Sequence, residues 1–504
     1  MKIALIPLDE RPVNTRYPQV LAAIAGAEVI VPSPDVLSHV RQPAETGGLH
    51  RWLLAQDGVD VVITSLEMLT SGGLIASRIT DDPLAVLLDR LTIIDRLRQA
   101  SPGLRLYGFN VITRIPDANY AVEEPAYWAT HGWDIHRYSQ LRHRAAAGQP
   151  VDEQLAEVRA RIPDALHQDF MQRRLRNHQV NLHAVGMAAR GAFDLLVISS
   201  DDTSEYGLGS QEKAWVKTWA ERLELSDDHL LMYPGADEVG CVLLGRALLN
   251  GHTPRFCVRY VIDADRERIA PYEDSPIRVT VERQIRALGG TLVDDADAAD
   301  FIVAVNTPSA IGQEYDADLE NFAAEHARRD PYLYTFVEQV AGWVDAGRRV
   351  ILCDVAYPNG SDPHLIDLLL DGVAIERLAA YGAWNTAGNT IGTALAQGVV
   401  SSMARTPPQQ LMQQRFLLHR FIEDWGYQHL VREKTRNWLE ETTGIRDTAA
   451  DNEAQVVQMI HQDLAGLLPR LGNLSAGWRI ESVNLPWHRT FEVDFELSHD
   501  RNSL

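Results

Sequence analysis

The sequence is poor in cysteine and in positive charge, and it has no long apolar run. Three cysteines, Cys241, Cys257 and Cys353, occur in 504 residues, and no two are spaced as C-x-x-C. A disulfide framework or a structural zinc site needs such pairs, so neither is supported, and each cysteine reads as core. Lys and Arg total 47 against 69 Asp and Glu, a formal net charge of −22. That sign is wrong for neutralising phosphates, so nucleic acid is excluded as an expected partner. The opening apolar run meets Pro7 and Asp9 too soon for a signal peptide or a membrane span. The expectation is a cytoplasmic chain with no membrane partner. Also missing are a Gly-rich phosphate loop, since Asp9-Glu10-Arg11-Pro12 stands after the first strand, a G-x-S-x-G elbow, and an H-E-x-x-H spacing. No cofactor is expected.

What is present is ordinary globular composition, 45% hydrophobic and 23% charged, in a chain long enough for two to four domains. Up to about residue 400 one theme repeats: a short β-branched apolar run, a polar or Gly-containing turn, then a segment with helical spacing. That is an α/β signature, and continuous apolar runs imply parallel strands covered on both faces. The clearest runs are Lys2 to Leu8, Glu28 to Val31, Val59 to Thr64, Leu104 to Phe109, Asp194 to Ser199, His229 to Tyr233, Phe256 to Val261, Phe301 to Val305 and Val350 to Asp354. Between Asp117 and Gly191 lies a long Arg- and His-rich helical stretch without a strand, an excursion over one end of the sheet. Gly289-Gly290 marks a helix stop after Ile277 to Leu288. Beyond Pro407 strands nearly vanish until Phe491, Val493 and Phe495 alternate with charged residues.

This pattern predicts a barrel-like parallel (β/α) domain over 1–250, a Rossmann-like domain over 251–400 and a mostly helical C-terminal region over 401–504 with a terminal strand. One large doubly wound sheet is the alternative. In either case ligands bind at the carboxyl ends of the strands. Those positions are unusually polar: Asp9, Arg11 and Asn14; Glu67; Asn110; Asp201 and Asp202; Asp237 and Glu238; Asn306; Asp354; and Trp384, Asn385 and Asn389. A single Asp after a strand commonly serves only as a helix N-cap. Recurrence on one rim is more telling, because like charges held together carry a cost that a substrate or metal can offset.

Asp201-Asp202 is the sharpest feature. Neighbours at a strand end point to different sides, which suits an acid beside a charge-stabilising anion. The bland alternative is a cap for a helix near Gln211. Trp384, Asn385 and Asn389 suit a ligand with flat faces and hydroxyls, as sugars have; otherwise they form a tight loop with a core Trp and capping amides.

The segments Pro7 to Asn14, Pro234 to Glu238, Trp384 to Asn389 and Leu485 to Glu492 resemble a bacterial family known as domain-of-unknown-function family 4127, over nearly the whole chain. This resemblance implies no particular activity. The tandem Asp resembles, at the level of the site alone, that of β-N-acetylhexosaminidases, whose aromatic signature is not visible here. That likeness implies that Asp201 orients an acetamido group and Asp202 protonates the leaving oxygen.

The expectation for function is a glycoside hydrolase acting on small glycosides or amino-sugar conjugates. Asp201, Asp202, Asp237 and Glu238 are the catalytic candidates and the remaining strand-end residues bind substrate. The alternatives are a metal-dependent hydrolase using Asp9, Glu67, Asp201 and Asp237, although no metal site is assigned, and a non-catalytic sugar-binding protein. Oligomeric state is not legible.

Overall fold

The structure is a computed structural model that describes residues 1–315 and 320–500. The chain divides into two compact units. The first comprises Met1–Gln19, Ala27–Ala247 and Tyr272–Ser275; the second comprises Val20–Gly26, Leu248–Pro271 and everything from Pro276. The backbone therefore passes from one unit to the other five times.

The first unit is built on β1 (Lys2–Ile6), β2 (Glu28–Ile30), β3 (Val61–Ser65), β4 (Arg105–Ile112), β5 (Leu195–Ser200) and β6 (Leu230–Pro234). All pair in parallel, in the order β2-β1-β3-β4-β5-β6. Ala4, Ile6, Val62, Leu106, Leu196 and Ile198 form one face, packed on Leu49, Leu53, Leu87, Leu91, Ala184 and Met187 of the covering helices. The alternate residues Leu5, Ile63, Phe109 and Val197 are equally buried. Both faces are dry, which is why these strands read as unbroken apolar runs. The stretch between β4 and β5 is helical, as expected, with helices Trp128–Ala146, Asp152–Arg161 and Asp164–Ala189. It carries a small core of its own around Trp128, Ile135, Leu141 and Phe170.

The parallel α/β class expected from the sequence is observed, but the first sheet does not close. Its edges are β2 and β6. In a barrel successive strands follow one another around the circle, and eight are needed. Here β1 lies between β2 and β3, so the winding reverses, the mark of an open doubly wound sheet. The later strands do not complete it, nor do they extend it into one large sheet.

They build the second unit's own sheet: β7 (Arg255–Tyr260), β8 (Thr291–Leu292), β9 (Phe301–Asn306), β10 (Val350–Asp354) and β11 (Ala380–Gly382), parallel in the order β11-β10-β9-β7-β8. Helix Ile277–Leu288 stops at Gly289, whose φ of 92° is the left-handed cap that glycine accepts without strain. From helix Pro407–Arg420 the backbone continues as a π-helical segment, Phe421–Val431, and then as helix Arg432–Thr443. Helix Glu453–Leu467 and an antiparallel pair, β12 (Trp478–Asn484) and β13 (Asp494–His499), complete the unit. Of the alternating Phe491, Val493 and Phe495 only Phe495 lies in a strand, β13, which is one arm of this hairpin. Ala304 and Leu352 of the sheet, Phe421 and Trp425 of the π-helical segment, and Phe495 and Leu497 of β13 share one core. Among the described residues no helix is long and apolar enough to cross a membrane.

Candidate functional site

In the first unit, β1 delivers Asp9 to the carboxyl end of the sheet beside the reversal point. Its carboxylate accepts from the Arg11 backbone N–H at 3.0 Å, from the Arg11 guanidinium at 2.7 Å and from Asn14 Nδ2 at 3.0 Å. The same guanidinium donates to Asp237, after β6, at 2.5 Å, and Asn14 reaches that carboxylate at 3.3 Å. One buried cation thus stands between two buried carboxylates. Burial pushes the Asp237 carboxyl upward, against the pull of Arg11 and with the help of Asp9 and Asp201. Glu238, fully buried, is pushed well up by the same desolvation. It folds back over its own loop: a Cβ at Gly235, where φ is 134°, would lie 2.3 Å from Glu238 Oε1. The glycine of Pro234-Gly235-Ala236 is there to let that carboxyl in.

Ser65 caps helix Leu66–Thr70, so Glu67 is held inward, accepting from the Val111 backbone N–H and from Ser65 Oγ at 3.2 Å. Burial raises its carboxyl from 4.5 to about 8, with a smaller contribution from Asp201. Asn110 donates to Asn181 Oδ1 at 2.7 Å, while its own Oδ1 has no partner among the described residues. Glu67 and Asn110 line a narrow polar cavity with Thr70, Ser71, Ser77 and Asn177.

Asp201 and Asp202 follow β5. Arg78 donates to Asp201 at 2.5 Å and Arg114 to Asp202 at 3.0 Å. Both guanidiniums also hold Glu123 and Glu124, so two arginines serve four carboxylates. Desolvation, then the neighbouring Asp202, raises the Asp201 carboxyl; Arg78 and Arg114 oppose them. Asp202 has a φ of 32°, backbone that a non-glycine residue rarely adopts and that is often found at functional sites. The capping alternative does not describe the pair, because the next helix, Leu208–Arg222, begins at Gly207 with no side-chain cap.

The predicted residues of the second unit form their own cluster. Asn306 donates to Asp354 at 2.8 Å and to Asp362 at 3.2 Å, while the fully buried Arg329 donates to Asn306 Oδ1 and to the Thr307 carbonyl. Asp354 also accepts the Asp362 backbone N–H at 2.7 Å. Burial and Asp362 raise its carboxyl to about 7. Trp384 is 3% exposed and the Arg420 guanidinium lies 5.5 Å from its ring centroid. Asn385 takes a positive φ, and its carbonyl accepts the Asn359 N–H at 2.9 Å. Asn389, buried, lies in the first turn of helix Ala387–Ser401, whose cap is Thr386.

Asp9, Arg11, Asn14, Glu67, Asn110, Asp201, Asp202, Asp237 and Glu238 therefore sit in the first unit, and Asn306, Asp354, Trp384, Asn385 and Asn389 in the second. Sequence reasoning missed Arg78, Glu123 and Glu124. The tandem Glu123-Glu124 before Pro125 was the available signal, since two buried acids imply a nearby cation. No group of three His, Cys, Asp or Glu side chains among the described residues is arranged to hold a metal ion.

No curated protein and no solved structure matches this chain. Residues 3–496, which take in both polar clusters and reach into β13, match the family described as "Protein of unknown function (DUF4127)", and the chain belongs to that family.

Proposed function

We propose that the carboxyl rim of the first sheet is the active site of a glycoside hydrolase acting on small glycosides or amino-sugar conjugates. The observation that carries this reading is the unequal setting of two adjacent carboxyls: Asp201 is half-buried, its side chain 13% exposed, and raised, while Asp202, at 26%, is the more exposed and is held by Arg114. Paired carboxyls in unlike environments are the usual arrangement of an acid beside an anion. Asp201 is then the proton donor to the glycosidic oxygen and Asp202 the anion facing the positive charge that develops at the anomeric carbon. This exchanges the two roles implied by the hexosaminidase likeness, and burial is the reason. The C–O bond breaks as the leaving oxygen takes the proton; water adds to the anomeric carbon and returns a proton to Asp201.

Release of nitrophenol from a panel of nitrophenyl glycosides tests the reading. Asp201→Asn is expected to lower kcat by about 10² to 10⁴ for unactivated leaving groups and less for activated aryl ones. Asp202→Asn is expected to impair both classes alike. If both variants keep wild-type rates on a proven substrate, the assignment moves to Asp237 and Glu238. Activity abolished by a chelator and restored by a divalent cation would favour the metal-dependent alternative.

A further inference from the structure

Asp9 and Asp237 share Arg11, Asp201 has Arg78 and Asp202 has Arg114. Glu67 differs from all four. It is 3% exposed, and among the described residues its carboxyl accepts only from the Val111 N–H and the Ser65 hydroxyl, with no cation beside it. A buried carboxylate without a countercharge is costly. Arg78 and Arg176, each next in sequence to a residue that lines the cavity at Glu67, are turned elsewhere: Arg78 to Glu123, Glu124 and Asp201, and Arg176 to the Ser77 and Thr80 carbonyls.

That cavity, about 10 Å³ in volume, is lined by Glu67 with Thr70, Ser71, Ser77, Asn110 and Asn177. It has room for one guest the size of a water molecule. The hydrogens of its lining groups are already engaged: the Thr70 and Ser77 hydroxyls donate to the Leu66 and Leu74 carbonyls, each at 2.7 Å, and the Asn110 and Asn177 amides donate to Asn181 Oδ1 and to the Ser77 carbonyl. Oxygen is what remains. Asn110 is 4% exposed, and its Oδ1 has no partner among the described residues.

We propose that this cavity binds one monovalent cation of the size of water, potassium or ammonium, with the Glu67 carboxylate and Asn110 Oδ1 as its ligands. One carboxylate among neutral oxygens balances a single charge. A divalent ion would leave an excess of buried positive charge, and no set of three acidic or histidine ligands is assembled for one among the described residues. A water molecule would satisfy Asn110 Oδ1 but leave the carboxylate uncompensated. Without the cation a proton neutralises Glu67 instead, as the rise of its carboxyl to about 8 describes. Occupancy of the cavity does not depend on the reaction at Asp201 and Asp202.

Urea unfolding of the full chain at constant ionic strength, near pH 8 where half of Glu67 is ionised unaided, reads the site in potassium, ammonium or choline chloride. Choline is too large for the cavity and sets the baseline. Potassium or ammonium is expected to raise the unfolding midpoint above that baseline along a one-site saturation curve, and the larger shift names the resident ion. Glu67→Gln, nearly isosteric and neutral, is expected to keep its circular dichroism spectrum and lose the cation-specific shift. Asn110→Ala is expected to weaken binding by roughly tenfold or more, the usual weight of a hydrogen bond to a charged group. Thallium(I), which has potassium's charge and nearly its size, needs no variant: its NMR line is expected to broaden with the wild-type protein and to sharpen again when potassium is added. Potassium and ammonium no better than choline, the result for a cavity that holds only water, overturns the proposal. So does a shift that survives Glu67→Gln, or a thallium line indifferent to the protein.

Discussion

In both units the strands wind in the same sense around a single reversal, and in both the positions after the strands carry Asp, Asn or Glu beside a buried arginine. The bonding of those carboxylates differs. In the second unit they hold backbone: Asp354 accepts the Asp362 N–H, Asp362 caps helix Pro363–Gly372, and Asp424 accepts the Ala383 N–H. In the first, Asp9 and Glu67 also take a backbone N–H, but Asp201 and Asp202 accept only from guanidiniums carried on other segments. A carboxylate bonded to local backbone shapes its own loop. One bonded to a distant side chain remains able to exchange that partner for a ligand, and by this difference Asp201 and Asp202 stand apart more sharply than by residue type.

The largest expected effect is on turnover. Asp201→Asn removes about 10² to 10⁴ in kcat for poor leaving groups, whereas Asp354→Asn is expected to leave kcat intact and to destabilise the fold by about 1 to 3 kcal/mol, the usual cost of an unmade buried hydrogen bond. Nitrophenol release and urea unfolding measured on both variants read the contrast. The distinction between the two clusters collapses if Asp354→Asn loses activity at unchanged stability.

Arg329→Met should cost about 3 to 5 kcal/mol in urea unfolding, since it strips the cation from the buried Asn306 and Asp362 oxygens. A comparable effect on stability, spread over pH, follows from Glu67. Unfolded, its carboxyl ionises near 4.5; folded, it keeps its proton to about 8. Between those values the native state binds the extra proton, so stability falls as pH rises, by up to about 1.4 kcal/mol per pH unit, and levels off above the upper one. Glu67→Gln should flatten that slope in unfolding curves taken at successive pH values; an unchanged slope would mean that Glu67 is ionised in the fold. The smallest effect concerns Trp384. With Arg420 against its ring, Trp384→Phe should cost about 1 kcal/mol of stability and leave KM unchanged. A raised KM with unaltered stability would instead give the ring to a sugar.

Where periodicity was strong, the elements were legible residue by residue: β10 at Val350–Asp354 and helix Ile277–Leu288 lie where the apolar spacing put them. β11 was harder, because Ala380–Gly382 is three residues long and leaves no run to recognise. The winding order was not legible at all. Strands buried on both faces look alike in composition, so nothing local distinguishes a neighbour from a strand two places away, and the barrel and the open sheet read the same. The polar rim was legible as residue types after strands. Arg11 was among them, but Arg78 was not, because it meets Glu123, Glu124 and Asp201 across 45, 46 and 123 residues of chain, and such pairing has no sequence period.

The repeated passage of the backbone between units bears on synthesis. Val20–Gly26 leaves the ribosome more than two hundred residues before Leu248, where the remaining segments of its unit begin. Gly26, at a φ of 70°, has the Gln409 amide 2.5 Å from where a Cβ would stand. This segment thus acquires that neighbour only after more than three hundred and eighty further residues have been translated. Until then the nascent chain carries an unfinished turn at Gly26, and a ribosome stalled before Gln409 should hold a protein that proteases cut around Gly26.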